Sequence, residues 1–266
     1  MSAHGTALVT GGSTGIGLEL ARQLAANGNP LVIVSRDRER LGAVAGELHA
    51  EYGVPVSHIA KDLSQPRAAE ELWDELSRAD LTAETLVNNA GGGVYGKFQD
   101  QSVDELQRMQ MVNMLALTTL TRLALPGMLA RKRGRILNVA SIVGYQPGGP
   151  RMAVYYATKA YVLSFSKALA VELEGTGVSV TTLSPGVTSS AFEDRSGASG
   201  TRLYRLMPQM SARSVAAAAY RTMERGGGVV IPGLVAKILA VAGELPPRSI
   251  ALAVNRWLLR RPHVDA

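Results

Sequence analysis

The chain has 266 residues, 46% hydrophobic and 19% charged, a globular composition that excludes intrinsic disorder and is long enough for one full core. It has no cysteine, which excludes disulfides and thiolate chemistry, and its histidines (His4, His49, His58 and His263) lack metal-ligand spacing, so no metal site is predicted. Lysine and arginine exceed aspartate and glutamate by 28 − 22 = 6, but no basic run is interleaved with aromatic residues, which argues against a nucleic-acid partner.

Short apolar runs alternate with longer helix-like segments along the chain. The runs predicted as strands are Thr6–Thr10, Leu31–Ser35, Val56–Ala60, Thr85–Asn88, Arg135–Ala140, Ser179–Ser184 and Gly228–Ile231. The segments predicted as helices are Ile16–Asn27, Asp37–Tyr52, Pro66–Ala79, Val103–Ala130, Val154–Glu174 and Ala212–Glu224. Strands that are apolar throughout are typical of a parallel sheet covered on both faces. The sequence therefore predicts an α/β fold: one Rossmann-type, doubly wound parallel sheet of about seven strands, with helices on both faces.

The residues before the first strand, Ser2 to Gly5, are small or polar and predict no secretory leader. No apolar run approaches the ~18–20 residues that a membrane span requires. We therefore expect a cytoplasmic protein.

A glycine-rich turn joins the first strand to the first helix. Glycines there bring backbone N–H groups close to a pyrophosphate, and the helix N-terminus adds a favourable field for phosphates. The position of this turn predicts a dinucleotide site. Its predicted contact residues are Gly11, Ser13, Thr14, Gly15, Ile16 and Gly17.

The end of the second strand bears on the choice between NAD and NADP. Ser35 stands where an NAD-binding protein would carry an acidic residue for the ribose 2′-hydroxyl, and Arg36 follows it. A guanidinium suits a 2′-phosphate, so NADP(H) is favoured and NAD(H) stays possible. The other interpretation makes Arg36 a solvated surface charge and Asp37 the cap of the next helix.

Tyr155 and Lys159 lie four residues apart, so on a helix they share one face. A free tyrosine has a pKa near 10 and is a weak base at neutral pH. A neighbouring ammonium group and a positive nicotinamide ring would favour the phenolate. Tyr156 is the rival phenol, but its partner four residues on is Ala160, which carries no charge. We therefore predict that Tyr155 moves the proton between an alcohol and a carbonyl.

Ser141 follows the predicted fifth strand, at the edge where open α/β sheets bind ligands. Its hydroxyl could hydrogen-bond the substrate oxygen.

The spacing T-G-x-x-x-G-x-G from Thr10 to Gly17, together with Ser141, Tyr155 and Lys159 in this order, resembles the classical short-chain dehydrogenase/reductase family. The resemblance extends from Thr10 to Thr188 and implies an NAD(P)-dependent oxidoreductase acting on the CH–OH group of a small alcohol or its carbonyl counterpart. It gives Asn113 as a fourth catalytic residue that disturbs its helix and holds a water in a proton relay; as an alternative, Asn113 is an ordinary polar helix residue. It also implies that Lys159 holds the hydroxyls of the nicotinamide ribose.

The same resemblance implies further cofactor contacts. They are Asp62 and Leu63 at the adenine, Asn89, Ala90 and Gly91 near the ribose, and Pro185, Gly186, Val187 and Thr188 at the carboxamide. Asn88 either shares that role or braces the sheet. The helices Val103–Ala130 and Val154–Glu174 form the usual subunit contact of the family, which implies a homodimer or homotetramer.

Two segments beyond the motifs are less specific. Residues 189–209 mix Phe192, Leu203, Tyr204, Leu206 and Met207 with small and charged residues, which suits a mobile lid over a moderately apolar substrate, or else a packed surface helix.

Residues 1–233 form the predicted catalytic domain and 234–266 a helical extension, whose apolar stretches Leu234–Ala242 and Ile250–Leu259 are punctuated by basic residues. Similar tails occur in a subset of bacterial short-chain dehydrogenases. Packing over the substrate entrance or on another subunit is favoured over contact with a membrane.

Two rival functions remain open. A non-catalytic NADP-binding regulator has no need of a tuned phenol, and fold alone does not decide. An epimerase or dehydratase is disfavoured by the glycine spacing.

Overall fold

The computed structural model describes residues 5–189 and 192–261. Three short segments lie outside this part: residues 1–4 with His4, residues 190–191 of the predicted lid, and residues 262–266 of the extension with His263. Its strands are β1 (Thr6–Thr10), β2 (Leu31–Ser35), β3 (Val56–Ala60), β4 (Ala83–Asn88), β5 (Gly134–Val139), β6 (Val178–Leu183), β7 (Thr188–Ser189), β8 (Met210–Ser211) and β9 (Gly228–Val230).

Within the described residues, seven strands form one parallel sheet in the order β3-β2-β1-β4-β5-β6-β9. The order reverses between β1 and β4, the arrangement of a doubly wound Rossmann-type sheet. The predicted fold class is confirmed, and the strand ends differ from the predicted ones by at most two residues. The pair β7–β8, which the sequence did not predict, forms a separate short ladder beside the sheet.

Helices cover both faces of the sheet. They are α1 (Gly15–Ala26), α2 (Arg38–Tyr52), α3 (Ala68–Arg78), α4 (Val103–Gln110), α5 (Leu117–Ala130), α6 (Ala153–Glu172), α7 (Phe192–Ser196), α8 (Arg202–Leu206), α9 (Ala212–Glu224), α10 (Leu234–Glu244) and α11 (Arg248–Leu258). One core lies between the sheet and α1, α2 and α9. The other lies between the opposite face and α3, α5 and α6. This burial of both faces is why the strands are apolar throughout.

The predicted long helix Val103–Ala130 is continuous but not uniform. Residues Met111–Ala116 form a π-helical segment between α4 and α5. Val103–Ala130 has 28 residues and contains an 18-residue window with a mean hydropathy of 1.2, so it is long and apolar enough to cross a membrane by length and composition alone. This corrects the expectation that no segment meets those criteria. This is weak support for a span, because core helices satisfy the same criteria and Leu117, Leu120 and Met128 pack into the core.

The extension packs on the rest of the chain at the carboxyl edge of the sheet. α10 contacts the 3-10 turn Ile142–Tyr145, and α11 contacts α8. The Tyr95 hydroxyl donates to the Leu259 carbonyl at 2.5 Å, and Asn255 Nδ2 donates to the Gly148 carbonyl at 2.8 Å. These bonds attach the C-terminal end of α11 to loops of the main domain.

Candidate active site

A cleft of about 430 Å³ opens at the carboxyl ends of the strands, where the strand order reverses between β1 and β4. This is the position at which open α/β sheets bind ligands. Most of the predicted site residues line it: Gly11, Ser13, Thr14, Gly15, Ile16, Ser35, Arg36, Asp62, Leu63, Asn89, Ala90, Gly91, Ser141, Tyr155, Lys159, Pro185, Gly186, Val187 and Thr188. The two others, Gly17 and Asn113, lie behind the lining.

The glycine turn forms part of the wall of this cleft. Gly11 and Gly15 have φ values of +65° and +56°, a conformation that side chains disfavour. Thr14 is the N-cap of α1, and its side chain makes no capping hydrogen bond. The first amides of α1 are thus left for an anion, as a pyrophosphate site requires.

Asn89 and Thr10 bind the glycine turn to the end of β4. Thr10 Oγ1 accepts hydrogen bonds from the amides of Asn89 and Ala90, both at 3.0 Å. Asn89 Nδ2 donates to the carbonyls of Thr10 and Gly11 at 3.0 and 3.1 Å. A Cβ on Gly17 would lie 2.3 Å from Asn89 Nδ2, so Gly17 permits this packing and does not itself line the cleft.

Asn88 braces the sheet. Its Nδ2 donates to Thr121 Oγ1 and Asn138 Oδ1 at 3.0 and 2.9 Å, all of them buried. Of the two roles considered for Asn88, the structure places it in the bracing one.

The adenine end of the cleft holds Ser35, Arg36 and Asp62. Ser35 Oγ is buried and has no hydrogen-bond partner among residues 5–189 and 192–261. Burial by itself would raise the pKa of Asp62, but hydrogen bonds from Ser64 and Gln65 and the charge of Arg36 outweigh it and lower that pKa. Asp37 lies outside the lining and caps α2, accepting from the Arg40 amide at 3.0 Å.

Arg195, on α7, also lines the cleft, a residue that the sequence reasoning missed. Burial lowers the pKa of Arg195, and so do the charges of Arg36 and Arg40. Two of these guanidinium groups, Arg36 and Arg195, line the cleft, and their positive charge favours an anion there. Nothing in the sequence spacing linked Arg195 to Arg36, because 159 residues separate them.

Tyr155 lies at the other end of the cleft with only 8% of its surface exposed. Burial raises the pKa of Tyr155, as does neighbouring Tyr204, while a hydrogen bond with the Ser141 side chain lowers it. The balance is upward, so the phenol holds its proton at neutral pH. Lys159 is not among the groups that shift the pKa of Tyr155, so the predicted lowering of this pKa by Lys159 is not seen.

Lys159 is buried beside Tyr155. Its Nζ donates to the Val139 carbonyl at 2.9 Å and lies 5.9 Å from the centroid of the Tyr155 ring. Burial lowers the pKa of Lys159 to about 8. An ammonium with so low a pKa is near its titration range at neutral pH, a property that structural lysines rarely have.

Asn113 lies in the π-helical segment and is 1% exposed. Its Oδ1 accepts from the Gly92 amide at 2.9 Å, and its Nδ2 donates to the Gly92 carbonyl and to Thr158 Oγ1, both at 3.0 Å. A Cβ on Gly91 would lie 3.1 Å from Asn113 Oδ1 and 3.6 Å from Lys159 Nζ. The helix is therefore disturbed where the resemblance implied, and Asn113 supports the glycine strip next to Lys159.

The rival phenol, Tyr156, is 5% exposed and packs edge-on against Tyr155, with ring centroids 6.5 Å apart. Burial raises the pKa of Tyr156, and so does Tyr204. Tyr155 differs in having both Ser141 and the Lys159 ammonium beside it, so the geometry favours Tyr155 as the reacting phenol.

The predicted lid closes over this end in part. The Phe192 ring lies 5.3 Å from the Tyr155 ring, and Leu203 and Tyr204 also line the cleft. Leu206 and Met207 do not. Together with Val94, Met109, Val112 and Met152, which sequence reasoning did not single out, these side chains make the substrate end largely apolar.

A second cleft, of about 620 Å³, lies at the opposite, amino edge of the sheet. Four of its charged residues are paired, with Arg133 bound to Glu84 and Arg135 to Glu224. None of the predicted site residues lines it, so the smaller cleft is the candidate active site.

Comparison with known proteins agrees with this geometry. The sequence model of the short chain dehydrogenase family matches residues 5–199. The ketoacyl reductase HetN of Nostoc sp. is 30% identical over 95% of this chain and 88% of its own length. The very-long-chain 3-oxoacyl-CoA reductase of Anas platyrhynchos is 34% identical over 67% of this chain, but the match spans only 58% of that protein.

Among solved structures, a short-chain dehydrogenase from Sphingobium yanoikuyae in complex with NADPH is similar, with a TM-score of 0.81 and 34% identity. The match covers 90% of this chain and 92% of that one.

Proposed function

The chain belongs to the short-chain dehydrogenase family and is an NAD(P)-dependent oxidoreductase, and from this premise we propose that it is an NADP(H)-dependent reductase of ketones on apolar chains, 3-oxoacyl thioesters among them. The observation that carries the proposal is the buried, protonated Tyr155. It lies beside Ser141, Lys159 and the apolar ring of Phe192.

The residues at the adenine end fit a phosphorylated cofactor. Ser35 Oγ, which has no hydrogen-bond partner in the described part of the chain, offers a donor for a 2′-phosphate, and Arg36 and Arg195 offer positive charge. The glycine turn and the first amides of α1 would hold the pyrophosphate. When bound, the nicotinamide supplies the hydride for the carbonyl carbon.

The protein groups then deal with the substrate oxygen. Ser141 Oγ donates a hydrogen bond to the carbonyl and stabilises the developing alkoxide. Tyr155 gives its hydroxyl proton to that oxygen, so carbonyl, hydride and proton together become the alcohol. Lys159, as an ammonium, stabilises the phenolate that remains. Because burial raises the pKa of Tyr155, the phenol is present as a proton donor at neutral pH, the form that reduction of a carbonyl requires.

The substrate class rests on the apolar lining and on the relatives. Two of these are named as reductases of 3-oxoacyl or ketoacyl compounds. An acyl chain would lie against Met109, Met152 and Leu203, where its burial contributes about 0.8 kcal/mol per methylene.

The experiment measures NADPH and NADH oxidation with 3-oxoacyl thioesters of increasing chain length and with simple ketones. We expect turnover with NADPH and a KM that falls as the chain lengthens. A protein that binds NADPH but turns over none of these substrates would instead be the non-catalytic regulator. We propose that the active species is a homodimer or homotetramer, which light scattering of the same sample measures.

Arg36→Ala tests the cofactor preference. Losing a charge-assisted contact with phosphate raises the KM for NADPH roughly 10- to 100-fold and leaves NADH unchanged. Arg38→Ala is the matched control, because Arg38 is a neighbouring exposed arginine that does not line the cleft. Equal effects of Arg36→Ala on both cofactors would contradict the 2′-phosphate assignment.

A further inference from the structure

The two helices of the extension leave a concentrated apolar surface uncovered. Sixteen large apolar side chains are exposed in the described part of the chain, and nine of them lie within residues 234–261. We call these nine the hairpin face: Leu234, Val235, Ile238, Val241, Leu245, Ile250, Leu252, Val254 and Trp257.

The hairpin face follows helical spacing. Leu234, Ile238, Val241 and Leu245 recur at i, i+4, i+7 and i+11 on one side of α10, while the small residues Ala236, Ala240 and Gly243 turn to the protein. On α11, Ile250, Val254 and Trp257 repeat the spacing. Both helices are thus amphipathic with their larger apolar side outward, the reverse of a helix whose apolar side is covered by its own domain.

The charges around this face are positive. Residues 234–261 contain five basic residues and one acidic residue, Glu244, a net charge of 5 − 1 = +4. Lys237, Arg248 and Arg256 are exposed beside the apolar side chains. Long cationic side chains beside an apolar stripe reach the headgroups of an anionic lipid surface while their stems stay in the apolar zone.

We propose that the hairpin face is a docking surface for an anionic phospholipid bilayer. A second copy of the chain fits it less well: in a twofold pair the same face meets itself, so Lys237, Arg248 and Arg256 would be brought together with only Glu244 to offset them. Anionic headgroups complement all three cations at once.

Docking there has a consequence for the cleft. The Trp257 ring lies 5.0 Å from the Arg202 guanidinium on α8, the helix that also contributes Leu203 and Tyr204 to the lining. On α10, Ala236 lies against Gly186, where an added Cβ would come within 3.2 Å. The elements that would touch the bilayer are therefore packed directly on two walls of the cleft.

The test is binding of the full chain to vesicles of phosphatidylcholine alone or with phosphatidylglycerol, followed by co-sedimentation. The chain has two tryptophans, so Trp73→Phe leaves Trp257 as the reporter. We expect binding and a blue shift of the Trp257 emission with the anionic vesicles only, both weakened by salt. Removing one cation, in Lys237→Gln or Arg248→Gln, should weaken partitioning roughly fivefold.

The double variant Ile238→Asp with Val241→Asp should lose vesicle binding. The control is Val171→Asp, which places one aspartate on an exposed valine sixteen residues along α6 from Tyr155 and so about 24 Å from the cleft. It should bind vesicles as the unaltered chain does. Retained NADPH binding shows that each variant is folded, and none of these readouts depends on the substrate proposed above.

Two outcomes overturn the proposal. One is equal binding of the unaltered chain and the double variant to anionic vesicles. The other is no vesicle binding by the unaltered chain, together with a smaller oligomer for the double variant in sedimentation velocity, which would assign the hairpin face to a second copy.

Discussion

Lys159 carries a cost in stability that a substitution should reveal. Its pKa falls from an ordinary 10.5 to about 8 through burial. The unfolded chain therefore binds this proton more tightly than the folded chain does. At pH 7, below both pKa values, this lowers the free energy of unfolding by about 3 kcal/mol, at about 1.36 kcal/mol per pKa unit. Lys159→Met removes that charge but leaves the Val139 carbonyl without its donor, which costs about 1 kcal/mol. The variant should be about 2 kcal/mol more stable at pH 7.

The sign with pH follows from linkage. Because the folded pKa is the lower one, the destabilisation by the Lys159 charge is complete below pH 8. It diminishes as pH rises through the window from 8 to 10.5. The advantage of Lys159→Met should therefore shrink by about 2 kcal/mol between pH 7 and pH 9.5. Groups shared by both proteins cancel in this difference.

Urea unfolding at pH 7 and pH 9.5, in buffer without nucleotide and at one protein concentration, measures this difference. Lys167→Met is the control, since Lys167 is exposed on the same helix, and it should leave the pH slope unchanged. If Lys159→Met is no more stable than the unaltered chain at pH 7 and the gap between them does not change with pH, then burial does not destabilise the Lys159 charge and the reasoning is wrong.

Three further outcomes follow from the site. Tyr155→Phe should lower kcat roughly 10²- to 10⁴-fold by removing the proton donor, while NADPH binding measured by nucleotide fluorescence persists; full turnover would rule out Tyr155. The kcat/KM for reduction should fall above pH about 8 as Lys159 loses its proton. In Lys159→Arg, which stays charged, this decrease should occur at a higher pH; an unchanged pH profile would contradict the mechanism. Asp37→Ala should reduce the unfolding free energy by about 1 kcal/mol through loss of the α2 cap; an altered NADPH-to-NADH ratio in steady-state kinetics would show that Asp37 contacts the cofactor instead.

The parts of the site that could be predicted are those in which one local rule determines both spacing and place. The glycine turn must lie between a strand and a helix, and Tyr155 and Lys159 must share a helix face. Both follow from backbone geometry within a few residues. The same holds for the strands, whose apolar runs are buried on both faces.

Arg195 and the pKa of Tyr155 could not be predicted, because each depends on distant parts of the chain meeting. Arg195 lies near Arg36 because the fold brings α7 to the cleft. The direction of the Tyr155 pKa is decided by how much of the ring is buried, which involves Phe192 and Tyr204 from the lid. Sequence reasoning could name Ser141 and Lys159 beside the phenol, but not the desolvation that raises its pKa.

The extension shows a different limit. Its sequence predicts two amphipathic helices, and amphipathic spacing is the same whether the apolar side faces a core or the outside. Only the fold shows that Ala236, Ala240 and Gly243 are the side chains that pack inward, while Leu234, Ile238 and their neighbours stay uncovered. Small residues permit close contact with the domain and bury little apolar area, so packing on the domain and docking on a bilayer are not alternatives. One side of each helix holds the extension to the cleft walls, and the other side is left for an outside partner.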